Sequence, residues 1–227
     1  MSKIKIFALG GLNEDGKNMY VVRVDKDIFI FDAGLKYSRD RMLGIVYIIP
    51  SYDYLKENIK HIKGIFLSHG HESNIGAISD ILMDLPNIPI YGAKYTLEIL
   101  KLMLENDGIK SNNLNELKPH CKLTFGKNSI FPISVTHSIP DSLCYVLNTP
   151  DGAIVYSGDF VFDPAMTGNY KTDIGKLAYV GKQGVLCLMS ESLYANHLGF
   201  TSPNHRVNGF IREVLNNNPN RIIASVL

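Results

Sequence analysis

Apolar positions along the chain alternate between the spacing of a β-strand and the spacing of an α-helix. Half-buried strands place apolar side chains at every second residue, whereas helices place them three or four residues apart. The strand spacing predicts the segments Lys3–Leu9, Met19–Val24, Asp27–Phe31, Ile62–Ser68, Ile88–Gly92, Leu123–Phe125, Ile130–Thr136, Leu143–Asn148, Ala153–Ser157, Val185–Met189 and Arg221–Leu227. The helical spacing predicts the segments Ile75–Leu85, Tyr95–Leu104, Ile174–Val180 and Ser202–Leu215. Strands interleaved with helices predict an α/β fold in which sheets pack together and helices lie outside.

Two of the predicted strands are continuous apolar runs rather than alternating ones. Ile62–Ser68 and Val185–Met189 have this pattern, which is typical of strands buried on both faces. The last apolar run, from Arg221, reaches Leu227 without a stop signal. Because a final strand without a partner would be an exposed edge, we expect the chain to be a fragment of a longer protein.

Composition narrows the class of protein. The chain has 227 residues, of which 45% are hydrophobic and 20% are charged, and this balance excludes a disordered or fibrous protein. The net charge is +1, so a polyanion such as RNA would have to bind at a local site. Three cysteines cannot form a full disulfide framework, and no apolar run approaches the ~18 residues of a membrane span. We therefore expect a cytoplasmic protein with reduced thiols.

Polar residues that could carry chemistry follow several of the predicted strands. His69 and His71 follow Ile62–Ser68, with Gly70 between them allowing a tight turn, and His137 and Asp159 follow two later strands. Loops at strand ends are common positions for functional groups. Three imidazoles and one carboxylate are a plausible ligand set for zinc, manganese or a similar divalent ion. Taken singly, each residue could instead be a structural histidine or a turn aspartate.

Five sequence blocks resemble the metallo-β-lactamase superfamily, and within it the β-CASP nucleases of the ribonuclease J type. These blocks are Phe7–Tyr20, Phe31–Leu35, Thr136–Ser142, Ser157–Phe160 and Leu188–Ser192. The resemblance implies an αββα sandwich with two mixed sheets and helices outside. It also implies that the chain is incomplete, with residues 1–201 forming the first part of a metallo-β-lactamase domain. Residues 202–227 would then be the truncated start of a β-CASP domain.

The histidine block departs from the pattern of this family. The family reads His-x-His-x-Asp-His, whereas this chain has Ser73 and Asn74 at the last two positions. By resemblance, His69, His71, His137 and Asp159 would hold one divalent ion, Zn²⁺ or Mn²⁺, and Asp159 would also be a catalytic residue. Ser73 and Asn74 would be degenerate positions of a second metal site, because a hydroxyl and an amide are poor ligands for a divalent ion.

Further residues have a functional and a structural alternative. Asp32 would orient groups around the site or be a plain turn residue, and Glu191 would support catalysis or cap the next loop. Ser138 and Ser142 would contact a phosphate or stabilise a turn. A basic cluster would contact RNA or be a solvated face; it comprises Lys36, Arg39 and Arg41.

The resemblance implies a metal-dependent ribonuclease of weak activity that acts in RNA decay and maturation, including rRNA processing. It would be a 5′-to-3′ exonuclease, with endonucleolytic cleavage as a second mode, similar to the degenerate second paralogue of bacteria. Its expected partners are RNA, a second copy of itself and an active ribonuclease J paralogue. The alternative is a non-catalytic RNA-binding or scaffold subunit. A small-molecule hydrolase such as a thioesterase is a third class, disfavoured because those proteins keep the full histidine block.

Overall fold

The computed structural model describes residues 1–38, 44–110, 112–199 and 205–221. Strands within these ranges are β1 (Ile4–Gly10), β2 (Met19–Val24), β3 (Asp27–Phe31), β4 (Lys36–Tyr37), β5 (Tyr47–Ile48), β6 (Ile62–Phe66), β7 (Ile90–Gly92), β8 (Leu114–Glu116), β9 (Leu123–Phe125), β10 (Asn128–Ser134), β11 (Leu143–Thr149), β12 (Gly152–Tyr156) and β13 (Val185–Met189). The α-helices are α1 (Asp53–Asn58), α2 (Glu72–Ile75), α3 (Ile78–Asp84), α4 (Lys94–Asn106), α5 (Ile174–Gln183) and α6 (His205–Asn217). Two 3-10 helices span Ile59–His61 and Gly168–Tyr170.

Two mixed sheets form the centre of the fold. The first has the strand order β1-β2-β3-β6-β7-β8, antiparallel from β1 to β3 and parallel from β3 to β8. The second has the order β13-β12-β11-β10-β9, antiparallel except for the parallel pair β12 and β13. The short hairpin of β4 and β5 forms a separate ladder. Parallel pairs need long crossover connections, and helices occupy several of them.

Alternation within the strands explains how the layers pack. In β3, Ile28 and Ile30 belong to the core between the first sheet and its helices, whereas Phe29 and Phe31 belong to the core between the two sheets. Successive side chains of a strand point to opposite faces, so one strand serves both cores. A third core packs the outer face of the second sheet against α5 through Val180. These three cores confirm the predicted αββα sandwich.

The prediction of a doubly buried strand at Val185–Met189 was wrong. β13 is an edge strand, and the side chains of Leu186 and Leu188 are 53% and 63% exposed. Its alternate residues, Cys187 and Met189, pack against the core between the sheets. An apolar run has the same appearance in sequence whether one or both of its faces are covered, so only the pairing order reveals the difference.

The sequence pattern did not predict some of the short elements, and some predictions fall on residues that the structure does not describe. The structure adds β4, β5, β8 and α1, which are too short to show a clear period. The predicted domain boundary at 201/202 and the end of the strand beyond Arg221 lie outside the described residues. Within those ranges, no helix has the length and apolar character needed to cross a bilayer.

Candidate metal centre

The candidate site lies where several strands end. Each candidate residue follows a strand. Asp32 follows β3, His69 follows β6 and His137 follows β10. Asp159 follows β12 and Glu191 follows β13. A sheet fixes the ends of its strands rigidly, so side chains just beyond them are held in defined positions.

The three predicted histidine ligands converge on one point. His71 Nδ1 lies 3.1 Å from His69 Nε2 and 3.2 Å from His137 Nε2. Asp159 Oδ2 lies 3.7 Å from His69 Nε2 and 4.0 Å from His137 Nε2. Ligand atoms around a tetrahedral zinc ion at bond lengths near 2.0–2.1 Å are ~3.3 Å apart. The three histidines therefore fit a single divalent cation, and the Asp159 carboxylate lies next to them at a slightly longer distance.

The environment keeps the imidazoles in the form that binds metal. Burial lowers the pKa of His69 to about 2, and the nearby rings of His137 and His71 lower it further in the same direction. Burial, followed by the charge of His71, lowers the pKa of His137 to about 4, and burial also lowers the pKa of His71. Neutral imidazoles have the free lone pair that a metal ion requires.

Asp159 shows the opposite effect, which also fits a cation. Burial raises the pKa of Asp159 to about 7, and the negative charges of Glu191, Asp32 and Asp15 raise it in the same direction. A divalent ion at the histidine nitrogens would supply the positive charge that favours the carboxylate. The electrostatic environment of Asp159 therefore agrees with the geometry of the histidines as a site for a cation.

Asp32 is the centre of a buried hydrogen-bond network, which favours the predicted supporting role over that of a plain turn residue. It is fully buried, with a positive φ of 59°. Ser68 donates to it twice, from its backbone nitrogen to Oδ1 and from its hydroxyl to Oδ2, both at 2.7 Å. Asn74 Nδ2 and Tyr156 Oη donate to Oδ2 at 2.8 and 2.6 Å. Burial raises the pKa of Asp32 to about 6, and these four hydrogen bonds oppose that rise.

Ser73 and Asn74, the positions predicted to be degenerate, bond to each other and to this network. Ser73 Oγ donates to Asn74 Oδ1 at 2.6 Å, while Asn74 Nδ2 donates to Asp32. Asn74 is fully buried. Ser73 also lines a cavity that it shares with Asp159 and Glu191. An amide nitrogen has no lone pair to offer a cation, so Asn74 in this orientation supports Asp32 rather than a metal ion.

The remaining predicted residues fall into different environments. Glu191 Oε1 accepts from the backbone nitrogen of Phe160 at 2.7 Å and so holds the loop next to Asp159. Ser138 is exposed, with its hydroxyl 3.4 Å from His71 Nε2.

The structure describes two of the predicted anion contacts, Ser142 and Lys36. Ser142 is buried and donates to the carbonyl of Ile139 at 3.1 Å, so it stabilises a turn and cannot reach a phosphate from solvent. Lys36 forms an ion pair with Glu14 at 3.1 Å, which neutralises part of the predicted basic cluster. Arg39 and Arg41 lie outside the described residues.

Sequence reasoning missed the residues that hold the ligands in place. The backbone nitrogen of Thr136 donates to Thr172 Oγ1 at 2.7 Å, and the Thr136 hydroxyl donates to the carbonyl of Tyr170 at 2.6 Å. These bonds fix the residue directly before His137. Ser68 occupies the same position before His69. A hydroxyl residue one position before each of these histidines is the signal that could have identified both.

Comparison with known proteins identifies related families and relatives. The sequence profile of the metallo-beta-lactamase superfamily matches residues 12–182. Ribonuclease J2 of Bacillus subtilis (strain 168) is 41% identical over 224 residues, covering 98% of this chain and 40% of that protein. Ribonuclease J 2 of Streptococcus pyogenes serotype M3 is 38% identical over 229 residues, covering 100% of this chain and 41% of that protein. The chain thus spans about two fifths of the length of these relatives.

A solved structure supports the same fold. A protein of unknown function from Enterococcus faecalis V583 superposes with a TM-score of 0.68 at 16% identity, over 96% of this chain and 59% of that one. The similarity to proteins named ribonuclease J2 confirms the resemblance predicted from the sequence blocks. Since the profile covers most of its length, the chain belongs to the metallo-beta-lactamase superfamily.

Proposed function

We propose that the chain is part of a metal-dependent ribonuclease of the ribonuclease J type with a single-metal active site. One observation carries the proposal. The nitrogens of His69, His71 and His137 lie close enough together to hold a metal ion, and Asp159 lies beside them, 3.7 Å from His69 Nε2. Ser73 and Asn74, in contrast, bond to each other. Similarity to proteins named ribonuclease J2 supports RNA as the substrate. Because the chain spans only part of those relatives, the proposal concerns the whole protein.

The protein groups have distinct tasks in this proposal. The three histidines and Asp159 would hold the ion, and Asp32 would anchor the loops that carry them. Glu191 holds the Asp159 loop through the amide of Phe160. A bound divalent ion supplies a Lewis acid that polarises a phosphoryl oxygen and lowers the pKa of a water molecule. The exposed hydroxyl of Ser138 lies beside His71 and would donate to a phosphate oxygen of the RNA.

The loss of the second site predicts weak hydrolysis. Two ions ~3.5–4 Å apart stabilise both the attacking and the leaving oxygen of a phosphodiester displacement. A single ion stabilises only one of them. We therefore propose a slow 5′-to-3′ exonuclease, with endonucleolytic cleavage as a second mode, that acts in RNA decay and maturation.

The test is hydrolysis of 5′-monophosphorylated RNA by the full-length protein with Mn²⁺, Mg²⁺ or Zn²⁺. The variant His71→Ala removes a proposed ligand, and His61→Ala is its control because His61 lies in the 3-10 helix outside the cluster. We expect His71→Ala to reduce hydrolysis to the level of chelator-treated protein and His61→Ala to leave it unchanged. Hydrolysis by His71→Ala at the rate of the unmodified protein would refute the mechanism.

The mutual hydrogen bond of Ser73 and Asn74 also favours a second candidate, a non-catalytic RNA-binding or scaffold subunit. It would form homodimers and associate with an active ribonuclease J paralogue in the bacterial cytoplasm. Metal analysis of the purified full-length protein separates the two functions. A protein without bound ion, whose RNA binding is insensitive to chelator, is the outcome expected for the scaffold.

The division of the chain belongs to the same proposal. Residues 1–201 are the first part of the metallo-β-lactamase domain, and residues 202–227 begin a β-CASP domain. Limited proteolysis of the full-length protein tests the boundary. Preferential cleavage close to residue 201 supports it, and cleavage confined to other regions contradicts it.

A further inference from the structure

Ser68 lies between a buried carboxylate and a proposed metal ligand. Its hydroxyl oxygen is 2.7 Å from Asp32 Oδ2 and 2.9 Å from His69 Nδ1. All three residues are buried, with Asp32 and His69 fully so. The backbone of Ser68 is fixed as well, since its nitrogen donates to Asp32 Oδ1 and its carbonyl accepts from the backbone nitrogen of Leu143 at 2.8 Å. The hydroxyl therefore has two defined neighbours in a fixed frame.

The number of available hydrogen atoms decides whether the Ser68 hydroxyl donates to His69 or accepts from it. The Ser68 amide and Asn74 Nδ2 can only donate, and both point at Asp32, so the carboxyl group serves as an acceptor on both of its oxygens. A serine hydroxyl has a single hydrogen, which Ser68 gives to Asp32 Oδ2. The Ser68 oxygen then presents only lone pairs to His69 Nδ1. Because the two atoms are in hydrogen-bond contact, the hydrogen between them has to be on Nδ1.

We propose that Ser68 is a positioning residue that fixes His69 in the tautomer with its proton on Nδ1. The inference rests on the proposed metal site. His69 Nε2 then keeps its lone pair on the side that faces His71 Nδ1 and Asp159 Oδ2. The opposite tautomer would place a hydrogen where the ion has to bind. Partners of the second ring nitrogen fix the tautomer of metal-binding histidines in this way in many proteins.

The tautomer can be measured without metal and without RNA. Two-bond ¹H–¹⁵N correlation spectra of the ¹⁵N-histidine-labelled, metal-free chain distinguish a protonated Nδ1 from a protonated Nε2. We expect His69 to show protonated Nδ1 and unprotonated Nε2 in the unmodified chain. A protonated Nε2 in that spectrum overturns the proposal. Because the measurement uses no substrate, its result is independent of whether the protein proves to be a nuclease.

A pair of variants tests the consequence for metal binding. Ser68→Ala removes the acceptor for His69, while Ser142→Ala removes an equally buried hydroxyl that donates to a backbone carbonyl instead. Zn²⁺ titration by calorimetry should show affinity ~10–100-fold weaker for Ser68→Ala, with mixed tautomers at His69. Ser142→Ala should retain the affinity and the single tautomer.

A purely structural role for Ser68 has a different signature. Ser68→Ala would then lower the free energy of unfolding while the tautomer and the Zn²⁺ affinity stayed unchanged, and this outcome overturns the proposal. Ser68→Thr restores the hydroxyl and should recover the Nδ1-protonated tautomer. If the added methyl group prevents folding of that variant, the spectrum of the unmodified chain still decides.

Discussion

Removing the phenol oxygen of Tyr156 should destabilise the fold in a manner that depends on pH. Tyr156 Oη donates to Asp32 Oδ2 at 2.6 Å inside the sandwich. Tyr145 offers a matched control, because it is also buried and donates at 2.7 Å to the neutral carbonyl of Leu67. A hydrogen bond to a charged group contributes about 1.5–3 kcal/mol, whereas one between neutral groups contributes about 1 kcal/mol. The variants Tyr156→Phe and Tyr145→Phe each remove one hydroxyl from similar surroundings.

The sign of the pH effect follows from the pKa of Asp32. Burial raises this pKa from 3.8 to about 6. Asp32 therefore contributes stability that is fully present below its unfolded pKa and is lost as the pH rises through the folded pKa. At 1.36 kcal/mol per pKa unit, the ionised carboxylate costs about 3 kcal/mol above that range. Tyr156→Phe removes a donor to the carboxylate, raises its pKa further and so increases this cost.

Urea unfolding of both variants measures the effect. We expect Tyr156→Phe to lose about 2–3 kcal/mol of unfolding free energy at about pH 8 and about 1 kcal/mol at about pH 5, where Asp32 is protonated. Tyr145→Phe should lose about 1 kcal/mol at both pH values. Equal losses for Tyr156→Phe at the two pH values, or equal losses for both variants at the higher pH, would refute the reasoning.

Three further predictions concern the site and its frame. The double variant Ser73→Asp with Asn74→His should raise the bound metal measured by mass spectrometry from about one ion per protein toward two, and an unchanged ratio contradicts the ligand assignment. Thr172→Val removes the hydroxyl that accepts from the backbone nitrogen of the residue before His137, so the Zn²⁺ affinity should fall ~10-fold. The control Thr149→Val, in the distant β11–β12 hairpin, should leave the affinity unchanged. Gly158→Ala should lower the free energy of unfolding by about 2 kcal/mol, because φ at this position is +60° and the new Cβ would lie 2.8 Å from Ser68 Cβ. An unchanged urea midpoint would contradict this prediction.

The layers of the fold were predictable because strand and helix periods are local properties. The strand Met19–Val24 matches its predicted bounds, and β3 alternates between two cores as its pattern requires. Pairing order is not local, which is why the exposed edge position of Val185–Met189 was missed. Helix α1, only six residues long, carries too few apolar positions to show a period.

The candidate ligands were predictable for a related reason. His69 and Asp159 come directly after apolar strands, and the sheets bring those strand ends together. Their partners were not predictable, because Tyr156 and Asp32 are 124 positions apart and meet only across the two sheets. The burial of Ser142 likewise depends on the folded turn and cannot be predicted from the neighbouring residues in the sequence.

Ser73 and Asn74 also show how the buried carboxylate of Asp32 is supported within the protein. Asp32 Oδ2 accepts from Asn74 Nδ2 as well as from the hydroxyls of Ser68 and Tyr156. The carbonyl end of the same amide accepts from Ser73 Oγ. Exchanging the amide nitrogen and oxygen would break both bonds and would place the oxygen against the carboxylate. Both ends of Asn74 are thus engaged within the protein, and the pair Ser73–Asn74 belongs to the frame of the first site. In the proposed single-metal site, the same two residues would therefore stand in place of ligands of a second ion and would support the first site.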